Sequence, residues 1–115
     1  MATYKQFDVV LVPFPFTDTN ETKRRPALII SDATEFNTPM GRSVMAMITT
    51  AGRSSWVLDV PITDLLAAGL SAPSIVRMKL FTLDHYVVVR KIGALSVVDR
   101  QSVIHALKRL TSMST

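Results

Sequence analysis

The stretch Asp8–Asp32, DVVLVPFPFTDTNETKRRPALIISD, constrains the chain more than any other. Two short, apolar, β-prone runs are separated by a polar, basic connection. The first strand is predicted over Asp8 to Val12, extended by Pro13-Phe14-Pro15-Phe16, and the second from Pro26 through Ile30 to Ser31. Turn formers bound both runs, which predicts a hairpin, although its connection, Thr17 to Arg25, exceeds a tight turn. That loop ends in Lys23-Arg24-Arg25. Three cations on a loop held between rigid strands offer a site for a phosphate or another anion. On composition alone a solvated charge run at a hairpin tip is the simpler reading.

The rest of the chain supplies a sheet and one helix. Ser31 to Arg42 is rich in turn residues and reads as a loop. A third strand is predicted over Ser43–Ile48, with methionines that read as core filler. A polar loop follows from Thr49 to Ser55, then a fourth strand over Trp56–Val60, stopped by Pro61. Thr63 to Gly69 fits one helical turn closed by its glycine. Fifth and sixth strands are predicted over Ser74–Leu80 and Val87–Leu95, with Gly93 marking a bulge or a close approach. From Ser96 the period changes. Ser96 and Asp99 resemble a capping pair, and Val103, Ile104, Leu107 and Leu110 recur at helical spacing. Five or six short strands followed by one amphipathic helix predict a mainly β fold, a small, partly open antiparallel barrel with a C-terminal helix.

With 115 residues the chain reads as one domain, residues 1–115, able to bury somewhat over ~60% of its unfolded surface. It has no cysteine, and hence no disulfide framework and no thiolate nucleophile or metal ligand. No membrane span is predicted, and the N-terminus lacks the apolar core of a signal peptide, so a cytoplasmic protein is expected. The net charge of +4 favours an anionic partner only weakly; its placement at strand ends matters more. The two histidines, His85 and His105, show no ligand spacing and no carboxylate cluster, so no metal and no cofactor are expected. His105 falls on the polar side of the helix. At His85 a turn or capping role is favoured over that of a proton carrier. What remains is chemistry carried by cations and hydroxyls.

The hairpin motif, followed by "ITT", "PSIVR" and "FTLD" in this order and spacing, resembles the PemK/MazF family of bacterial toxin endoribonucleases from about Asp8 to Leu110. The resemblance implies an SH3-like barrel with a terminal helix, forming a homodimer. It implies a type II toxin cleaving single-stranded RNA without a metal, by attack of a ribose 2′-hydroxyl on the neighbouring phosphorus. Such an enzyme aligns the attack, stabilises charge on the phosphoryl oxygens and moves two protons. The "RP" arginine of the family matches Arg25, and the threonine ending the third strand matches Thr49. A second arginine, catalytic in some members, matches Arg77. Lys23, Arg24, Thr50, Arg53 and Lys79 are then expected to bind RNA. The implied partners are a cognate antitoxin with an acidic tail over Lys23–Arg25 and, through the antitoxin, operator DNA.

One departure stands out. Some members carry an aspartate two residues after the second arginine as general base, whereas this chain reads Arg77-Met78-Lys79. The first loop holds no histidine either. Asp18, Glu21 and Asp32 remain as candidates for the base, and the sequence does not choose among them. Two rival functions stay in view: a non-enzymatic toxin of the same fold that inhibits DNA gyrase, as CcdB does, and a basic nucleic-acid-binding module without activity. The pairing of Arg25 with Thr49 counts against the first; the missing acid lends weight to the second.

Overall fold

Strands buried on both faces read as continuous apolar runs, and the first strand is of that kind. The computed structural model describes residues 3–14, 23–52 and 54–113. Strand β1 (Asp8–Phe14) pairs antiparallel with β2 (Lys23–Ile29), Val9 opposite Leu28 and Val12 opposite Arg25. Strand β3 (Arg42–Thr50) and the long β5 (Ser74–Asp84) form the centre of the sheet. The short β4 (Val60–Pro61) and β6 (Arg90–Ala94) form its edges, in the order β4-β5-β3-β2-β1-β6. All recorded pairings are antiparallel, and the sheet curls into a half-barrel. The expected fold class is the observed one.

Alternation along the strands divides the core in two. Val9, Leu28, Ala46, Ile48 and Val76 point to one face, which α3 (Val97–Leu110) covers with Val103 and Ala106. Val10, Val12, Ala27, Ile29 and Met45 point to the other, packed by Tyr4, Val88, Phe81 and Leu83 rather than by the helix. Helix α3 begins as its sequence dictates: Ser96 accepts a hydrogen bond from the Asp99 amide. The Asp99 carboxylate then turns outward. It accepts from the Thr63 amide, the Thr63 hydroxyl and the Asp64 amide, tying α3 to the start of the single helical turn α2 (Leu65–Ala68).

Gly69 closes that turn at φ 74°, and the turn meets β6 around Ile92 and Gly93 at very close range. A Cβ on Gly93 would stand 2.4 Å from the Ala68 carbonyl carbon, and one on Gly69 2.0 Å from the Ile92 oxygen. The β1–β6 register shifts beside this point, between Val9 and Val10. Gly93 therefore marks both features expected of it, the bulge and the close approach.

Several expectations about element extents change, with β5 running past Leu80 to Asp84 and β3 taking in Thr49 and Thr50 from the expected loop. Lys23, Arg24 and Arg25 lie inside β2 rather than in the preceding loop, because β1 runs on to Phe14 and supplies pairing partners for them. Residues 31–42 are not all loop: Asp32 caps a π-helical turn, Ala33–Asn37, by accepting from the Thr34 and Glu35 amides, and Thr38–Met40 adds a short helix. The strand expected over Trp56–Val60 is a turn up to Asp59. The Asp59 amide donates to the Trp56 carbonyl, and Leu58 takes φ 72°. Only Val60 and Pro61 pair, on an edge where a proline's missing N–H does no harm. The sixth strand begins at Arg90 because His85–Val87 form a 3-10 turn.

Candidate active site

The recorded pairing of β2 with β3 runs from Ile29 opposite Met45 to Ala27 opposite Met47. Carried two residues further, the same register sets Arg25 across from Thr49. Directly opposed residues share a face, here the one that α3 does not cover. Arg25 and Lys23 are exposed on this face, while Arg24 alternates to the other. The three cations expected as one patch are thus divided by the pleat. Thr49 is half-buried and Thr50 exposed. Arg25 is exposed, and no acidic side chain among the described residues pairs with its guanidinium.

Arg77 belongs to the same face, opposite Met47 on β3, on the order of 10–12 Å from Arg25 by strand spacing. A register shift between Ala46 and Met47 inserts Met78 and Lys79 as a bulge, the kind of irregularity that re-aims side chains. It turns Arg77 inward. The guanidinium donates from Nε and Nη2 to the two Asp59 oxygens at 3.2 and 3.0 Å, and from Nη1 and Nη2 to Ser54 Oγ and the Ser54 carbonyl, both at 3.2 Å. Burial alone would raise the Asp59 carboxyl, but the Arg77 hydrogen bonds, the Trp56 amide at 2.9 Å and the Arg77 charge outweigh it and hold Asp59 below its ordinary value. The Asp59 bonds in turn raise Arg77. The guanidinium also lies 5.3 Å from the Trp56 ring centroid. Where Arg77 was expected to face a phosphate, its donors are committed to this loop.

An open cleft of about 510 Å³ adjoins the cluster, lined by Gly52, Ser54, Ser55, Asp59, Pro61 and Ile75. Ile75 stands opposite Thr49, so cleft and threonine belong to one end of the sheet. Lys79 is exposed on the bulge, whereas Arg53, Asp18 and Glu21 lie outside the described residues. Asp32 is spent on its cap at the far end of β2 from Arg25. His105 is exposed on α3. His85 takes a turn role, its Nε2 2.7 Å from Ser43 Oγ, and burial lowers its pKa against an Arg42 carbonyl hydrogen bond and the Asp84 charge. Among the described residues no three His, Cys, Asp or Glu are placed to hold a metal ion. No helix there is long and apolar enough to cross a membrane.

Sequence reasoning missed Asp59, Ser54 and Trp56 as one unit with Arg77. A signal existed: the charge of Asp59 interrupts the run Trp56-Val57-Leu58-Asp59-Val60, where a buried strand would carry an apolar residue.

A family model described as the PemK-like, MazF-like toxin of type II toxin-antitoxin systems matches residues 5–111. The chain belongs to that family. Solved structures agree in fold. MazF of Deinococcus radiodurans, in a MazE–MazF complex, is 18% identical with a TM-score of 0.74, covering 99% of this chain and 100% of that one. Toxin MazF-mt6 of Mycobacterium tuberculosis is 23% identical with a TM-score of 0.70, over 94% of this chain and 99% of that one. An endoribonuclease from a mycobacterial species, solved with its cognate antitoxin, is 16% identical with a TM-score of 0.76, over 100% and 99%. At such identities the likeness is one of fold. No curated protein sequence matches the chain.

Proposed function

We propose that this chain is a toxin endoribonuclease that cuts single-stranded RNA by 2′-hydroxyl attack, with Arg25 and Thr49 at the reacting phosphate. The 2′-oxygen bonds to phosphorus and the 5′-oxygen leaves, giving a 2′,3′-cyclic phosphate and a 5′-hydroxyl. One proton leaves the attacking hydroxyl and one joins the departing oxygen. What supports this reading is the exposed Arg25, without an acidic partner among the described residues, on a strand whose register with β3, extended beyond Ala27 opposite Met47, leads to Thr49. A fixed, permanently charged fork stabilises the extra negative charge of the phosphorane-like transition state, and a threonine hydroxyl adds a neutral donor.

Single strands suit such a site because their base edges are unstacked, and only RNA carries the attacking group. Lys23, Thr50 and Lys79 are exposed at or near this end of the sheet and serve the backbone, as Arg53 would from its loop. Arg77 acts in this reading by holding the Trp56–Asp59 loop rather than by touching phosphate. A homodimer and an antitoxin complete the assembly. The family and the printed MazE–MazF complexes support an antitoxin, whose acidic segment would lie over Lys23 and Arg25 and carry any operator-DNA binding. The protein is expected in the cytoplasm, where its RNA is.

The test uses oligoribonucleotides with and without a single 2′-deoxy substitution at the mapped cut, in the presence of EDTA. The deoxy substrate should bind and stay intact. Cleavage of it would refute 2′-hydroxyl attack, and loss of all cleavage in EDTA would refute a chemistry resting on these side chains alone.

A further inference from the structure

Trp56 is the only tryptophan of the chain and is 46% exposed. Its neighbours Ser54, Ser55 and Val57 are exposed too, so the ring stands on a wet loop and not at the rim of a core. A single exposed aromatic is ordinary on a protein surface; what distinguishes this one is how it is held. Motion is opposed by the local bonding. The Asp59 carboxylate accepts from the Trp56 amide, the Asp59 amide returns a bond to the Trp56 carbonyl, and Arg77 sits over the ring. Arg77 is rooted in β5 and is itself held by four hydrogen bonds. The ring is therefore fixed in place while much of its surface faces solvent.

We propose that Trp56 is a stacking platform for an unpaired nucleobase of the RNA, next to the cleavage position, and that Arg77 and Asp59 are positioning residues for it. The proposal rests on the ribonuclease reading for its substrate class. A planar, rigid ring stacks on any base, because every base has a π face. The loop follows Thr49 and Thr50 at the end of β3, and four of its residues, Gly52, Ser54, Ser55 and Asp59, line the open cleft with Ile75, which stands opposite Thr49. In the proposal the RNA runs from the Arg25–Thr49 end of the sheet toward this loop, whose Ser55 and Asp59 in the cleft flank Trp56 in sequence. Asp59 neutralises the charge of Arg77, so the platform contributes stacking and adds no phosphate contact.

That last point makes the proposal separable from general RNA binding. Labelled mixed-sequence 2′-O-methyl oligonucleotides, which cannot be cut, are titrated against the full-length protein. Their anisotropy and the intrinsic tryptophan emission are read together at several salt concentrations. Emission should change over the same concentrations that raise anisotropy. Trp56→Ala should weaken binding roughly 5- to 150-fold with an unchanged salt slope, and Trp56→Phe should recover most of the loss. Lys79→Ala should instead lower the slope by about 0.7. Asp59→Asn should free the ring, lowering its emission anisotropy and bringing affinity toward that of Trp56→Ala. Binding with no change in emission, or Trp56→Ala binding like the parent, overturns the platform and leaves the RNA reading standing. Emission that answers to protein dilution rather than to oligonucleotide assigns the ring to a contact with a second copy and likewise overturns it. Absence of any oligonucleotide binding overturns both readings.

Discussion

Asp99→Asn isolates a bond that the fold uses and the proposed chemistry does not. The carboxylate is 1% exposed and accepts from three separate donors: the Thr63 amide at 3.1 Å to both oxygens, the Thr63 hydroxyl at 2.7 Å and the Asp64 amide at 3.0 Å. Hydrogen bonds to a charged group contribute about 1.5–3 kcal/mol each when nothing replaces them. Asparagine keeps one oxygen but turns an NH₂ toward two amides. Thr63 and Asp64 are exposed enough for water to recover part of the loss. A net cost of about 2–4 kcal/mol follows, against a total stability on the order of 6–17 kcal/mol for a chain of this length. At about 4 °C per kcal/mol, the midpoint should fall by roughly 8–16 °C.

The pH dependence sharpens that test. Burial would raise the Asp99 carboxyl, but the Asp64 and Thr63 donors outweigh it and hold the folded value below the ordinary 3.8. Its stabilisation is thus complete well above pH 3.8 and is lost as pH falls through the lower, folded value. Parent and variant curves from chemical denaturation should therefore be well separated at neutral pH and converge in acid. A gap below about 0.5 kcal/mol at pH 7, or a gap that stays constant into acid, would refute the account. The folded variant should cleave RNA at the parent rate, since α3 and the Arg25 face lie on opposite sides of the sheet.

The other expectations concern the site and two structural contacts. Arg25→Ala should lower single-turnover cleavage by roughly 10²-fold or more with little change in RNA affinity or melting midpoint, and Thr49→Ala should be milder; Lys79→Ala should weaken binding and spare the chemical step. If Lys79→Ala abolishes cleavage and Arg25→Ala does not, the reacting phosphate is on another strand. Gly93→Ala should destabilise by several kcal/mol or prevent folding, because the new methyl meets the α2 backbone rather than a movable side chain; a midpoint within a few degrees of the parent counts against the close packing. His85→Gln should flatten the stability profile on the acid side of neutrality. The folded His85 resists protonation, so the parent loses stability as pH drops below about 6.5 toward the lower folded value, and equal slopes in parent and variant would contradict this.

Local patterns carried the sheet and the helix well. The paired runs around Val9–Val12 and Ala27–Ile29 are apolar because both faces are covered, and Ser96, Val103 and Leu107 announce α3 by cap and period. The recorded β2–β3 register ends at Ala27 opposite Met47, and only its extension leads from Arg25 to Thr49, so that pair stays a proposal drawn from the resemblance. Three things were not legible in the sequence. Residues 31–42 hold turn formers that the Asp32 cap converts into helical turns, and a cap is seen only with its amides in place. The division of Lys23, Arg24 and Arg25 between two faces depended on where β1 ends. The commitment of Arg77 depended on a bulge in β5 and on Asp59, 18 residues earlier, which no local period reveals.

The contrast between the two arginines supports the proposal that Arg25 rather than Arg77 acts on the phosphate. A guanidinium helps a transition state only with donors that are free, or that exchange partners at little cost. Arg77 would have to give up four hydrogen bonds and leave the Asp59 carboxylate, 13% exposed, without its counter-charge. Arg25 is exposed on its strand, and among the described residues it has no acidic partner to leave. Among the described residues, then, no ion pair has to break for a phosphate to reach it. The same reasoning bears on the missing acid after Arg77. An aspartate at position 79 would sit on an exposed bulge, where it could compete with Asp59 for Arg77. Lysine at that position cannot, so Arg77 stays with the loop and the ring of Trp56 stays in place. Lys79→Asp should therefore loosen Trp56, seen as a fall in its emission anisotropy, while Lys79→Ala leaves it fixed. Equal anisotropy in the two variants would show that the loop is held by Asp59 regardless of the charge two residues beyond Arg77.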